Sequence, residues 1–119
     1  MGALAAAARQ GLLTRSRCAE ILADYIQNPS PWFRVACATA IGSLGAEGLT
    51  ALEGYLRDPD RRVRYAAVSG LSEINTPAVA LLIRSALHDE DVSVRQAAVD
   101  LVAKRKIAAW QQLIQETWV

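Results

Sequence analysis

Apolar and polar positions follow one another along this chain with the spacing of a helix, and that spacing restarts at regular intervals. Leu22, Leu52, Ile83 and Ile114 fall in one column, and Ile26, Leu56, Leu87 and Trp118 fall in a second column four residues later. Apolar residues three or four apart form one stripe of an amphipathic helix, so the columns predict four copies of one helix. A second stripe follows each turn. Phe33, Ala36, Cys37, Ala40, Ile41 and Leu44 make it in one copy, and Val63, Ala66, Ala67, Gly70, Leu71 and Ile74 in the next. Each unit therefore reads as a helical hairpin.

The breaks between helices have physical causes. Asn28 with Pro29, and Asp58 with Pro59, end the first helix of a unit, because proline lacks the amide donor and disfavours helical geometry in the residue before it. Gly42, Gly45 and Gly48 punctuate the exit from one hairpin. Asn75, Thr76 and Pro77 are expected to form an N-cap and first-turn proline before Ala78. In the third copy Arg105 occupies the column of Leu44 and Ile74, which predicts that the second helix there ends early. Ala3 to Gln10 reads as a remnant second helix, with Ala6 and Ala7 one period before Ala36 and Cys37. Helix should reach roughly three quarters of the chain, against the usual third.

The segment between the stripes is written three times, as NPSPWFRVA from Asn28, DPDRRVRYA from Asp58 and DEDVSVRQA from Asp89, at intervals of 30 and 31 residues. A period of that length marks a solenoid, whose units bury their apolar faces only by stacking. The fold class expected is all-α, an α-solenoid of stacked antiparallel helical hairpins forming one domain over residues 1–119. Its repeats fall near 15–45, 46–75 and 76–105, with a terminal half repeat over 106–119.

In every copy an Asx residue precedes an arginine by six positions: Asn28 and Arg34, Asp58 and Arg64, Asp89 and Arg95. With the small residues and aliphatic stripe that follow, the pattern resembles HEAT repeats, particularly the short HEAT-like class named for phycobilisome lyases, over about residues 18–104. The resemblance implies an armadillo-like solenoid whose second helices line a concave face. It also implies that the arginines pair with turn aspartates of the same and adjacent units. Chemistry agrees: a turn carboxylate is expected both to cap the second helix and to accept from a planar guanidinium. Asn28 departs from the acidic pattern, so the first rung of this ladder is expected to be the weakest.

Composition narrows the function. The chain is 52% hydrophobic and 21% charged over 119 residues, enough for one continuous core. No uninterrupted apolar run of about 18 residues occurs, which excludes a helical membrane span. The start, MGALAAAARQGLL, lacks the basic region and long apolar core of a secretory signal, and Ala6 stands where myristoylation needs Ser or Thr; a cytoplasmic address is the expectation. Thirteen basic against twelve acidic side chains give a formal charge of +1, too little to favour nucleic acid. The weaker route to it would use Arg61, Arg62 and the run Lys104, Arg105, Lys106.

Catalytic apparatus is missing from the pattern. Cys18 and Cys37 lack metal-ligand spacing and read as small buried hydrophobes. His88 stands alone at a helix end, without the repeated His-Glu pairs of HEAT-type iron hydroxylases, and neither a phosphate loop nor zinc-finger spacing appears. The expectation is a non-enzyme that needs no cofactor or metal. The resembled class contains bilin lyases, so an accessory role in bilin attachment or removal on phycobiliproteins is the alternative that the resemblance implies.

Positions on the second helices that neither the core nor the ladder uses form a grid. It holds Trp32, Val35 and Thr39, then Arg62, Tyr65 and Ser69, then Ser93, Gln96 and Asp100. Trp, Tyr and Arg most often dominate binding energy, so Trp32, Val35, Arg62, Tyr65 and Gln96 are the candidate protein-binding residues, with Trp110 on the terminal half repeat. The competing reading packs Trp32 on the neighbouring N-terminal helix. The partner is expected to be another protein, or a second copy joined through the open solenoid ends.

Overall fold

The computed structural model describes Gly11 and residues 14–74 and 76–105; of these, 77% are helical and none is in a strand. Six α-helices follow in order: α1 (Arg15–Ala23), α2 (Pro31–Gly42), α3 (Leu49–Tyr55), α4 (Arg61–Gly70), α5 (Val79–Ala86) and α6 (Val92–Arg105). Short 3-10 turns over Asp24–Gln27, Gly45–Gly48 and Leu71–Glu73 tighten the ends of α1 and α4 and open α3. The hairpins stack as an α-solenoid. The second helices form one layer, in which α4 packs between α2 and α6, while α1 covers α2 and α3, α3 also packs on α4, and α5 packs on α6.

The predicted columns become the core. Leu22, Leu52, Ile83, Cys37, Ile41, Leu44, Val63, Ala67, Leu71 and Ile74 are fully or almost fully buried. Cys18 and Cys37 are buried and in no disulfide. Two departures have one cause. Ala36 is exposed and Phe33 only half-buried, whereas their counterparts Ala66 and Val63 are buried. Ala38 and Val68, outside the predicted stripe, are fully buried. A second helix meets its own first helix, the next first helix and a neighbouring second helix, so its buried surface is wider than one stripe. Among the described residues α2 has such a second-helix neighbour on one side only.

Where α2 crosses α4, the backbones come so close that a Cβ added at Gly42 would lie 2.7 Å from Gly70 Cα. Glycine is required there by space. Gly45 is required by conformation, since its φ of 76° lies in the left-handed region. In α6, Leu101 and Ala103 stand one period after Gly70 and Ser72, and the helix runs through Arg105 instead of ending early. The expected stop fails because Lys104 and Arg105 are good helix formers. α5 starts at Val79, after Ala78, with no side-chain cap, and the Thr76 hydroxyl is buried without a partner. The expected Thr76–Pro77 start is thus two residues early. Asn75, the remnant helix at Ala3 to Gln10, and the terminal half repeat with Trp110, Ile114 and Trp118 lie outside the described residues.

The arginine ladder is present, with one change of roles. Arg34 donates from Nε and Nη2 to the two carboxylate oxygens of Asp58 at 2.8 and 3.2 Å, and from Nη1 to the Asn28 carbonyl at 2.6 Å. Arg64 repeats this on Asp89, at 2.9 and 3.3 Å, and on the Asp58 carbonyl at 2.7 Å. The carboxylate comes from the next hairpin; the unit's own turn supplies a backbone carbonyl. Capping falls to a different residue. Ser30, Asp60 and Asp91 cap α2, α4 and α6, while Asn28, Asp58 and Asp89 each accept the amide two residues on at 2.9 Å. The expectation that one carboxylate caps and pairs is corrected accordingly. So is the weak first rung: Arg34 pairs with Asp58, whose side chain is 2% exposed, and the amide of Asn28 takes no part.

Candidate protein-binding groove on the second helices

Trp32 is the second residue of α2, placed there by Pro31 at the first position and by Ser30, whose hydroxyl accepts from the Phe33 amide at 3.3 Å. A proline fits at that position because its missing donor would have had no helical partner. Helical spacing then sets Val35 and Thr39 on the same side of α2. On α4 the equivalent positions carry Arg62, Tyr65 and Ser69, and Ser93 opens the row on α6. These side chains, with Arg61 and Ala66, line a groove of about 490 Å³.

The groove floor is apolar and its walls are aromatic. Trp32 is 64% exposed and Tyr65 47%, and the N-terminal helix on which the competing reading packs Trp32 lies outside the described residues. Val35 is half-buried against the core. The Thr39 hydroxyl donates to the Val35 carbonyl at 2.9 Å, which turns its methyl group outward from that bond. Arg62 lies over the Trp32 ring, its guanidinium carbon 4.6 Å from the ring centroid. Such cation–π stacking is stronger for arginine on tryptophan than on other rings.

Asp60 fixes that stack. Its carboxylate accepts from Arg62 Nε at 3.0 Å, from Nη2 at 2.8 Å and from the Arg62 amide at 2.8 Å. One residue thus caps α4 and clamps the guanidinium over the indole. The hydrogen bonds from Arg62 hold the Asp60 carboxyl well below the usual carboxylate range, and Asp60 in turn raises the arginine.

Arg61 is the more available cation. Its side chain is 70% exposed, and it reaches Asp91 only at 3.6 Å. It also borders a second cavity of about 420 Å³ with Asp60, Arg64, Glu90 and Asp91. Cations and anions alternate there, so the end of the groove carries no single-sign field of the kind nucleic acid requires. His88 is exposed, and among the described residues no group of three His, Cys, Asp or Glu side chains is arranged to hold a metal.

Four of the sequence-derived candidates, Trp32, Val35, Arg62 and Tyr65, line the one groove. Gln96 does not; it donates to Asp100 at 2.9 Å on the surface of α6. Trp110 lies outside the described residues. Sequence reasoning placed Arg61 only in the weaker nucleic-acid route and Ala66 only in the core stripe, and it missed the Trp32–Arg62 stack. The signal existed, since Trp32 and Arg62 occupy the same column one repeat apart, and residues of one column become neighbours when hairpins stack.

A family model described as HEAT repeats matches residues 19–103. No curated protein matches the chain. Among the described residues no helix is long and apolar enough to cross a membrane.

Proposed function

The chain belongs to the HEAT-repeat family, whose members generally mediate protein–protein interaction, and from that premise we propose that it is a non-catalytic adaptor that holds a protein segment in the Trp32–Tyr65 groove. The observation that carries this reading is the pairing of two exposed aromatic rings across an apolar floor, one of them rigidly stacked under Arg62. Rigid aromatic surface gives contact area at little conformational cost, and aromatic and arginine side chains are the usual hot spots of interfaces. The segment sought places one apolar side chain between the rings and a carboxylate beside Arg61, whose own acid is distant. Arg62 is clamped by Asp60, so a cationic ligand would find the Trp32 face already covered.

The test compares capture of binding proteins from native lysate by the wild-type chain and by Trp32→Ala/Tyr65→Ala. A groove partner should lose more than about 2 kcal/mol of affinity for the double variant, while unfolding shifts by less than about 0.5 kcal/mol because both rings are surface groups. A partner retained at equal affinity by the folded variant would remove the groove from the mechanism. The alternative role in bilin attachment draws on resemblance alone. Mixing the protein with bilin tests it, since an unchanged visible spectrum counts against it.

A further inference from the structure

The groove side chains repeat at a pitch that restricts what the groove can hold. α2 and α4 run parallel and in register, because their second residues, Trp32 and Arg62, stack on one another while their last residues, Gly42 and Gly70, bring the two backbones together. Each helix lines the groove at steps of three and four residues, with Trp32, Val35 and Thr39 from α2 and Arg62, Tyr65 and Ser69 from α4. Such a step is one helical turn, so the two rows extend for two turns, about 10 Å. The seam between them tapers. Long side chains fill the gap at the Trp32 end, and it closes past the small Thr39 and Ser69 toward the Gly42–Gly70 contact.

Most donors along the seam are already spent inside the protein. The Thr39 hydroxyl donates to the Val35 carbonyl, the Ser93 hydroxyl donates to the Asp91 carboxylate, and Nε and Nη2 of Arg62 are held by Asp60. An extended segment would bury its carbonyls here opposite few donors, and unpaired buried polar groups are costly. A helix makes no such demand, because its backbone bonds are internal. Its apolar side chains also recur with each turn of about 5.4 Å, as the two rows do, whereas those on one face of a strand recur about every 6.6 Å.

We infer that the occupant of this groove is an amphipathic helix of a partner protein that carries, one turn apart, an acidic residue beside Arg61, a large apolar residue between Trp32 and Tyr65, and a small apolar residue against Thr39 and Ser69. This occupant presupposes the protein-binding groove proposed above and adds the conformation of the segment it holds. Its residue order follows from α4, where Arg61 precedes Tyr65 by one turn and Ser69 follows by another, while the seam narrows in the same direction. Charge complementarity requires the acid. Arg62 is clamped by Asp60 at 2.8 Å, whereas Arg61 is 70% exposed and meets Asp91 only at 3.6 Å, so a planar guanidinium is presented to a carboxylate at that end.

The probe is a displayed library of random peptides of about 16 residues, long enough for four helical turns. It is selected on the full wild-type chain, and binders that also hold the folded Trp32→Ala/Tyr65→Ala variant are discarded. The enriched sequences should carry acid, large apolar and small apolar residues at steps of three or four, in either chain direction. A synthetic peptide of that consensus should gain helical circular dichroism on binding, lose at least tenfold in affinity for Arg61→Glu, and regain it when its acid is replaced by lysine; Arg61→Ala serves if Arg61→Glu fails to fold. Enriched peptides that alternate apolar and polar residues, or are proline-rich, and gain no helix overturn the helical occupant while leaving a protein-binding groove. The absence of any peptide that distinguishes wild type from the double variant overturns both readings. Self-association of the wild-type chain that the double variant loses assigns the groove to a second copy and overturns the partner helix.

Discussion

Arg62 and Arg64 stand two residues apart on α4, yet the side chain of Arg64 is 9% exposed and that of Arg62 45%. Both are doubly hydrogen-bonded to an aspartate. The difference lies in where the acid comes from. Arg64 takes Asp89, 25 residues on and in the next hairpin, whereas Arg62 takes Asp60, two residues back in the cap of its own helix. A bond between hairpins holds the stack together; a bond within a cap only sets the direction of a side chain. One helix therefore carries a spine that determines stability and a groove that determines recognition, and substitutions in the two should have separable effects.

The sharpest way to break that separation is to remove an acid from the spine. Asp58→Ala leaves Arg34 partly buried with no counter-charge and also deletes the turn bond to the Asp60 amide. Breaking a buried pair by removing one partner typically costs about 3–5 kcal/mol, a large share of the stability of a small domain. Arg62→Ala, from the groove, should cost less than about 1 kcal/mol, as exposed pairs do. Urea unfolding of the two variants decides the matter. Comparable losses would mean that spine and groove are not distinct.

How far this division was legible in the sequence follows from what each part depends on. The hairpins and their core columns depend on local periodicity, which survives in any single copy, so Leu22, Leu52, Ile83 and Leu71 were found. The ladder arginines were legible as a column, but the direction of pairing was not. Asn28 looked like a defect because each turn was expected to serve the arginine of its own unit as well as that of an adjacent one. In fact a turn acid serves the arginine of the preceding unit, and the residue one period before Arg34 is Leu4, which has no charge to pair. The groove was half legible. Trp32 and Tyr65 stand out by type and exposure, whereas the Arg62 stack arises only when two repeats lie side by side. Helix length in α6 was misread because Arg105 was judged by the column it interrupts and not by its helix propensity.

Tyr55 sharpens the comparison from inside the core, at a smaller scale. It is fully buried, and its hydroxyl donates to the Leu22 carbonyl at 2.7 Å, joining the first helices of two hairpins. Burial pushes its phenol well above the ordinary value, with Cys37 beside it adding to the rise, so it remains a donor through the physiological range. Tyr55→Phe keeps the ring and removes the bond, for an expected loss of about 1–2 kcal/mol. The effect should appear as a lower midpoint with an unchanged denaturant slope. A changed slope would mean that the bond controls the compactness of the stack as well as its stability.

The smallest effect is expected at Asp60, and pH distinguishes it from the spine. Its folded carboxyl is held below the ordinary aspartate value of about 3.9 by Arg62. The ionised form therefore favours the folded state above that pH, and its contribution declines as pH falls from there through the depressed folded value. Asp60→Asn keeps a capping oxygen for the α4 amide but cannot titrate. The stability gap between wild type and Asp60→Asn should accordingly stay constant from neutrality to about pH 4 and narrow in more acidic solution. A gap that does not change with pH would show that Asp60 acts only as a cap. The clamp on Arg62 would then contribute nothing to the fold, leaving its whole consequence in the geometry that the Trp32 ring presents to a partner.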